Sequence, residues 1–595
     1  MRDALISNTS FLIIFDPKAD DEDIKKIVES YYPYADVYLT GSEPIGDAMA
    51  RRGRSDLAVV DKISTFLVLL AMIGVVGSFI ALTLPLTSFG IAFVMASAIV
   101  YLFISRITDI HMWARALLIT TTLGLGVDYS SYYLLMLKEE LGNGVHGKEA
   151  AINALSKAAP AIVAAASTDA AGFGVLALAW DFPFMKSLGL VIPVGVLIVM
   201  ATSLTFVPAV TSFLCGKKWF WWPRLPKKVI EISKMGLKIV KNAKFIILVF
   251  AVITVVSGIV YAQGFSPSHE FKLFLPEGEE AIEGFNIMKT KLSSSIMYPV
   301  FIVLNLSELS DDCIEAIEEL IQYLEMKGHA LTIYGPTRPQ GIPLTNLTLD
   351  YVLSTDGGLF ISDDRKYALL QVFLKYSADS EEASKAVREI KEAVKEFVRK
   401  SRYVNEAYVG GLTAEFIELD EALQNRFWTR VFPAALVAMF ILMTLSLRSL
   451  PAGILSTTLV SSSALIGLAV TIVLFREVLN VPTIWFLPMV IFAVLIGVGM
   501  DYFSFYFVKA RYELANNKDP DIALAKATKT IGILNLGLAT IVSTAYGSLM
   551  VSTMWVLKEI GFALSLSIFT IALATAYITL PAAMKLLKKY LVKSK

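Results

Sequence analysis

Two copies of one pattern, Gly124-Leu125-Gly126-Val127-Asp128-Tyr129 and Gly497-Val498-Gly499-Met500-Asp501-Tyr502, set a carboxylic acid beside a phenol inside long apolar runs. A carboxylate at the centre of a bilayer costs roughly 2.5–3.5 kcal/mol on insertion scales, so an acid kept there generally has a job. No Lys or Arg lies near the middle of an apolar run; Arg106, Arg115, Arg448, Arg476 and Lys558 fall near the ends, where long stems can snorkel. Burial without a cationic partner disfavours the charged form, so Asp128 and Asp501 are expected to be protonated much of the time, or bound to a cation. A group that takes a proton from one side and releases it to the other as its hydration changes does the chemistry of ion-coupled transport.

The neighbouring residues extend this reading. Tyr129 and Tyr502 each offer a hydroxyl that can donate to a carboxylate. Adjacent helix positions point about 100° apart, so Tyr129 is free to reach Asp501 across a helix interface, and Tyr502 to reach Asp128. Gly124, Gly126, Gly497 and Gly499 leave bare helix surface on which the two motif helices can approach closely. Asp169, in Ser167-Thr168-Asp169, is a third acid inside a span, with Ala545 at the matching place after Ser543-Thr544. Asp169 either extends the relay or bonds locally. Ser167, Thr168, Ser543 and Thr544 are relay neighbours or simple interhelical glue. The bland alternative for the whole set is a structural hydrogen-bond network without transport. Nucleotide binding is disfavoured because no strand precedes either glycine pattern. Cys215 and Cys313 are far apart and the four histidines are scattered, so neither a metal site nor a disulfide framework is expected, nor any cofactor. The zero formal net charge gives no reason to expect nucleic acid.

These residues sit in a chain that is 55% hydrophobic, above the ~45–50% of soluble proteins. Periodicity and length predict eleven membrane helices: about Ile63–Leu84, Leu86–Ile107, Trp113–Leu137, Ala158–Ala179, Phe184–Leu214, Phe245–Ala262, Val431–Leu447, Ala452–Phe475, Ile484–Val508, Ile531–Trp555 and Gly561–Met584. The chain also repeats. Ile6-Ser7-Asn8-Thr9, the strand-like Phe11–Phe15 and Ala19-Asp20 precede a helix and Val37–Gly41. Ile361-Ser362-Asp363-Asp364, Tyr367–Leu374 and Ala378-Asp379 precede a longer helix and Tyr408–Gly411. From Gly41 to Asp128 is 87 residues and from Gly411 to Asp501 is 90, so each half is a polar region leading into five helices. Within Gly264–Arg430, Pro299–Leu304, Leu331–Tyr334 and Tyr367–Leu374 read as strands, and Asp311–Met326 and Ser380–Lys400 as helices. This alternation suits a small βαβ module.

Short-loop Lys and Arg set the orientation. Residues 217–244 carry nine basic residues against one acid, Glu231. The loops holding Lys138, Lys148 and Lys157, or Lys509, Arg511, Lys518, Lys526 and Lys529, are also basic, as is the tail from Lys585 to Lys595. This side is expected to be cytoplasmic, with the polar regions outside. Trp219-Phe220-Trp221-Trp222 reads as an interfacial anchor and Val229–Lys241 as an amphipathic surface helix.

The paired Gly-x-Gly-x-Asp-Tyr motifs, each followed by a basic inner loop, resemble the resistance–nodulation–division (RND) superfamily, in particular its MMPL-like branch. Phe274-Leu275-Pro276-Glu277-Gly278-Glu279-Glu280-Ala281 and Tyr334-Gly335-Pro336-Thr337 look like further segments of that branch. The resemblance implies a mainly α-helical membrane protein with two RND-type transmembrane repeats and extracytoplasmic α/β, ferredoxin-like porter domains. It implies a partial first porter domain at 1–61 and a first bundle at 62–214. A basic linker at 215–244 and a single helix at 245–263 follow. The second porter domain would span 264–430, the second bundle 431–588 and a cytoplasmic tail 589–595. It further implies proton-driven export of lipids or other hydrophobic compounds, with Asp128, Tyr129, Asp501 and Tyr502 as the relay. The Lys that pairs with such acids in the drug-efflux branch is absent here. A family half begins with a helix and a whole outer domain, whereas nothing in the first half matches Phe245–Ser354. An upstream helix and strands, on the same or a separate polypeptide, are therefore expected. A SecD/SecF-like protein-export accessory and a non-transporting lipid or sterol sensor are the competing readings.

Overall fold

The computed structural model describes residues 21–110, 112–222, 234–270, 273–274, 278–291, 297–517 and 519–587. The expected strand Phe11–Phe15, residues 229–233 of the amphipathic segment, Leu275–Glu277 and the tail beyond residue 587 lie outside them. The chain divides into two compact units. One comprises Met1–Asp56, Ser268–Ala422 and Thr553–Trp555, the other Leu57–Pro267, Leu423–Ser552 and Val556–Lys595. In chain order the helices are α1 (Asp21–Tyr31), α2 (Ser42–Val76), α3 (Thr83–Leu102), α4 (Met112–Gly142), α5 (Gly147–Gly174), α6 (Pro183–Leu214), α7 (Lys234–Lys241), α8 (Ala243–Gly264), α9 (Glu280–Lys291), α10 (Asp311–Met326), α11 (Glu381–Lys400), α12 (Leu412–Arg426), α13 (Phe432–Leu447), α14 (Leu450–Ile472), α15 (Leu487–Asn516), α16 (Pro520–Gly547), α17 (Trp555–Leu573) and α18 (Thr579–Leu586).

The first unit is built on a β1-α10-β2-β3-α11-β4 sequence of elements, with strands β1 (Val300–Leu306), β2 (Ala330–Tyr334), β3 (Tyr367–Leu374) and β4 (Val404–Gly410). The sheet order is β2-β3-β1-β4 and every pairing is antiparallel, the ferredoxin-like arrangement. Alternation decides which face is covered: Val300, Ile302, Leu304 and Leu306 turn inward from β1 and meet Ile314, Ile317, Ile390 and Val394 of the two helices. Ser310 and Ser380 cap those helices through the amides of Cys313 and Ala383. Burial alone would raise the carboxyl of Glu318, but hydrogen bonds from Arg338, Thr337 and Gln322 hold it below its usual range. β4 escapes the sequence reading because its side chains alternate only weakly and Val404 alone is fully buried.

The repeat is visible in the backbone. Gly41 and Gly411 both take positive φ, +148° and +106°, directly before a long helix. Residues 36–40 make no ladder among the described residues; instead Thr40 donates to the Ala281 carbonyl (2.7 Å) and Lys25 pairs with Glu280 (2.7 Å). Gly284 of α9 lets Tyr38 and Thr40 lie against it, because a Cβ there would stand 2.9 Å from the Tyr38 Cβ.

The second unit is helical. Nine described helices are long and apolar enough to cross a membrane; the other two expected spans fall in α2 and α4. Several boundaries differ from expectation. The first span ends at Val76 rather than Leu84, because Gly77 turns to φ +67° and Ser78 caps the next turn through the Ala81 amide. Trp555 opens α17 rather than closing the preceding span. Lys138, Lys148, Lys157, Lys509, Arg511, Lys526 and Lys529 lie on helices rather than in loops, since α4, α5, α15 and α16 run on past their apolar cores. The division points at 61 and 430 both fall inside unbroken helix. Of the aromatic anchor, Phe220 and Trp221 are buried while Trp219 and Trp222 are exposed; the Trp221 indole donates to the Cys215 carbonyl (2.8 Å). Described π-helical turns occur only after the midpoint of the chain, at Phe427–Val431, Val473–Val478 and Ala574–Ile578.

Gly411 tests the repeat turn. Gly411→Ala would force a Cβ to 2.6 Å from the Pro299 carbonyl oxygen at an unfavourable φ, whereas Gly410 has open space. Thermal unfolding in detergent should show Gly411→Ala destabilised by about 1–3 kcal/mol and Gly410→Ala nearly unchanged.

Candidate functional site: a buried three-acid cluster

Helices α4, α5 and α15 bring Asp128, Asp169 and Asp501 together. All three acids and both motif tyrosines are fully buried. Asp501 acts electrostatically on Asp128, and both act on Asp169. The Asp169 and Asp501 carboxyls lie within hydrogen-bond reach of each other, so a proton on one can be shared with the other. Among the described residues, the one hydrogen bond the three carboxyls accept from outside the cluster goes to Asp169 Oδ2, to which the Tyr129 hydroxyl donates at 2.5 Å. Tyr129 therefore reaches Asp169 and not Asp501. The Tyr502 hydroxyl has no hydrogen-bond partner and does not bond Asp128, although both Asp128 and Asp501 act on it electrostatically. The backbone beneath Tyr502 is held by Asn535 of α16, whose amide donates to the Tyr502 carbonyl at 2.7 Å.

The glycines act differently from expectation. They do not seat the motif helices on each other. A Cβ on Gly497 would strike the Phe173 ring of α5, and Gly124 faces Val542 of α16 at 3.7 Å. Each of these two glycines thus receives a helix from the opposite half. Gly126 faces Val199 and Phe89, and Gly499 faces Ile571 and Val460. The motif helices meet one turn beyond their acids instead. Tyr132 and Phe505, each four residues after its Asp, stack at 4.0 Å with planes 8° apart. One residue further on, Tyr133 bonds Thr211 of α6 (2.8 Å) and Tyr506 bonds Thr528 of α16 (2.9 Å). Beyond these, Lys509 of α15 pairs with Glu139 of α4 at 2.8 Å, with Glu513 at 3.5 Å.

The hydroxyl neighbours are tied to backbone. Ser167 donates to Val163, Thr168 to Ala164 and Ala165, and Thr544 to Thr540, all within their own helix. Ser543 and Ser565 exchange reciprocal bonds to each other's carbonyl, joining α16 to α17. All four hydroxyls thus donate to backbone carbonyls, and of the expected relay neighbours Asp169 lies beside the other two acids. Among the described residues no group of three or more His, Cys, Asp or Glu is arranged to hold a metal ion. Two features escape the sequence reading. Lys509 reads there as a loop charge, but is only 8% exposed and bridges the halves. Glu559, five residues into an apolar helix, is 1% exposed; its place near a helix end is the one available clue.

The sequence model of the MMPL family matches residues 17–235 and 277–594. Membrane protein ActII-3 of Streptomyces coelicolor is 25% identical over 499 residues, covering 82% of this chain and 63% of that one. Mycolic acid-containing lipids exporter MmpL11 of Mycolicibacterium smegmatis is 21% identical over 588 residues, covering 93% and 57%. The chain thus spans less than two thirds of either relative. The crystal structure of SecDF, a translocon-associated membrane protein from Thermus, superposes with a TM-score of 0.56 at 12% identity, covering 91% of this chain and 63% of that one. This last likeness is one of fold alone.

The Glu139–Lys509 bond gives a direct test. Removing either partner should destabilise the protein by about 1.5–3 kcal/mol, the range for a hydrogen bond to a charged group. Thermal melting of Glu139→Gln, Lys509→Met and the double variant should show the double losing clearly less than the two singles combined.

Proposed function

The chain belongs to the MMPL family, and on that premise we propose that it is a proton-driven membrane transporter exporting lipids or other hydrophobic compounds. The observation that carries the proposal is the buried cluster of Asp128, Asp169 and Asp501, which among the described residues has no cationic partner and accepts only one hydrogen bond from outside the cluster. A structural network would have satisfied those carboxyls, because an unpaired buried acceptor costs about 1–3 kcal/mol. A group that must alternately hold and release a proton is left in such surroundings.

The relay runs through Asp128, Tyr129, Asp169, Asp501 and Tyr502. Tyr129 steadies the Asp169 carboxylate by donating to it; protonation of that oxygen removes the need for the donor. Gain or loss of a proton changes the repulsion among acids carried by three helices from both halves. The same event therefore biases how the halves pack, which is the mechanical input a transporter needs. The basic inner side is proposed as cytoplasmic and the α/β unit as extracytoplasmic, where it would receive hydrophobic cargo. The lipid cargo in the name of the mycobacterial relative supports a hydrophobic substrate.

Two measurements test this reading. Asp128→Asn, Asp169→Asn and Asp501→Asn should each insert normally yet fail to export the lipid that accumulates in a deletion strain. Wild-type export by the Asp128 or Asp501 variant removes the relay. Accumulating pre-protein, in place of lipid, would mark a SecDF-like role. In proteoliposomes a sodium gradient without a pH gradient should drive no transport, since a sodium cage needs several oxygen ligands from broken helix and both motif helices are continuous at the acid.

A further inference from the structure

Glu559 is a buried acid that the relay above does not use. Its Oε2 accepts the Ile484 amide at 3.1 Å. Its Oε1 is buried without a hydrogen bond, beside the Thr483 hydroxyl. The helices around it descend in register toward Asp501. Phe562 of α17 meets Phe475, in the π-helical turn that follows α14, with ring centroids 5.9 Å apart. Further along, Ser567 Oγ occupies the space a Cβ on Gly467 would need. Further still, Ile571 and Val460 both face Gly499, two residues before Asp501. Glu559 thus lies about 18 Å from the Gly499 level at 1.5 Å per residue, slightly more than half of a ~30 Å hydrocarbon core.

Buried hydroxyls punctuate that descent. Thr471, Gly467 and Ser463 repeat every fourth residue on α14, so they share a face with about 6 Å between steps. Thr471 bonds only its own helix, through the Gly467 carbonyl (2.7 Å), while Ser567 Oγ and Ser463 Oγ have no partner. Fasteners between membrane helices bond each other or a carbonyl, as Ser543 and Ser565 do. Partnerless buried hydroxyls call for water. The first half has no counterpart, for α6 contains neither Asp nor Glu.

We propose that Glu559 is the outer-side proton acceptor of the transporter, passing protons to Asp501 along water held by Thr471, Ser567 and Ser463. A proton from outside adds to the Glu559 carboxylate. Each water or hydroxyl in the file takes one proton and gives one, and the last proton adds to the Asp501 carboxylate as Glu559 gives up its own. One proton moves and no bond between heavier atoms changes. The stack of Tyr132 on Phe505 lies one turn past Asp501 in the other direction along α15. The inference rests on the relay reading of Asp501.

Hydrogen–deuterium exchange tests it without a known cargo. The full chain in lipid is mixed rapidly with D2O, and the carboxylic acid C=O stretch lost in Asp501→Asn is followed by infrared spectroscopy. Glu559→Gln keeps an acceptor for the Ile484 amide and should slow exchange at Asp501 by about a hundredfold, as loss of a positioned proton-transfer group does. The double variant Ser463→Ala/Ser567→Ala should slow it too, and carries the test alone if Glu559→Gln does not fold. Exchange at the wild-type rate in the folded variants overturns the inference and leaves the relay standing. Absence of any band that depends on Asp501 overturns the relay, and this inference with it.

Discussion

An acid placed where hydrocarbon should be cannot be left alone, and the arrangement of this bundle follows from that constraint. Three carboxyls with no Lys or Arg among them repel whenever two are charged, and all three are completely buried. Their helices must nonetheless be held close. Small residues do this from outside the cluster: Gly497 admits Phe173 and Gly124 faces Val542, so each motif helix is clasped by the opposite half. The electrostatic tension at the centre and the close packing around it are two sides of one design. Whatever relieves the first loosens the second.

The polar contacts are graded along the bundle accordingly. Near the acids, oxygens are left unsatisfied; one turn away, tyrosine–threonine bonds and the aromatic stack are complete; beyond these an ion pair ties the halves. Satisfied groups rigidify a bundle and unsatisfied ones leave it responsive. On the proposed relay reading, rigid surroundings with a responsive centre would let a single proton be felt by whole helices rather than absorbed by local adjustment. The α/β unit obeys ordinary rules by contrast, with an alternating core and capped helices.

Much of this was legible in the sequence. Asp128 and Asp501 stood out because hydrocarbon excludes acids, and the duplicated glycine-to-acid interval exposed the repeat, which the positive φ of Gly41 and Gly411 bears out. The partner of Tyr129 was not legible: helix rotation within a bundle is set by tertiary packing, and 3.6-residue periodicity cannot tell Asp169 from Asp501 across an interface. Glu559 escaped because an acid near a helix end looks like an interfacial residue until its burial is known. The loop charges went astray because apolarity stops before the helix does, so α15 continues seven residues past Lys509. β4 was missed because Asn405 and Glu406 are both exposed and leave only a weak alternation to read.

The stack of Tyr132 on Phe505 has one more consequence. Both residues lie four positions after their acids, so a side chain meets its own structural counterpart. Only positions on an approximate rotation axis do this, and such a position has to be filled by something that tolerates itself. Two lysines or two carboxylates would repel there; two flat rings do not. Had the halves once been separate identical chains joined as a dimer, this would be the place least free to drift. Positions away from the axis carry no such obligation, and there the halves have diverged: an acid at 169 against alanine at 545, an acid at 559 against none in α6. Likeness was retained where the copies touch themselves, and difference accumulated where each touches something else.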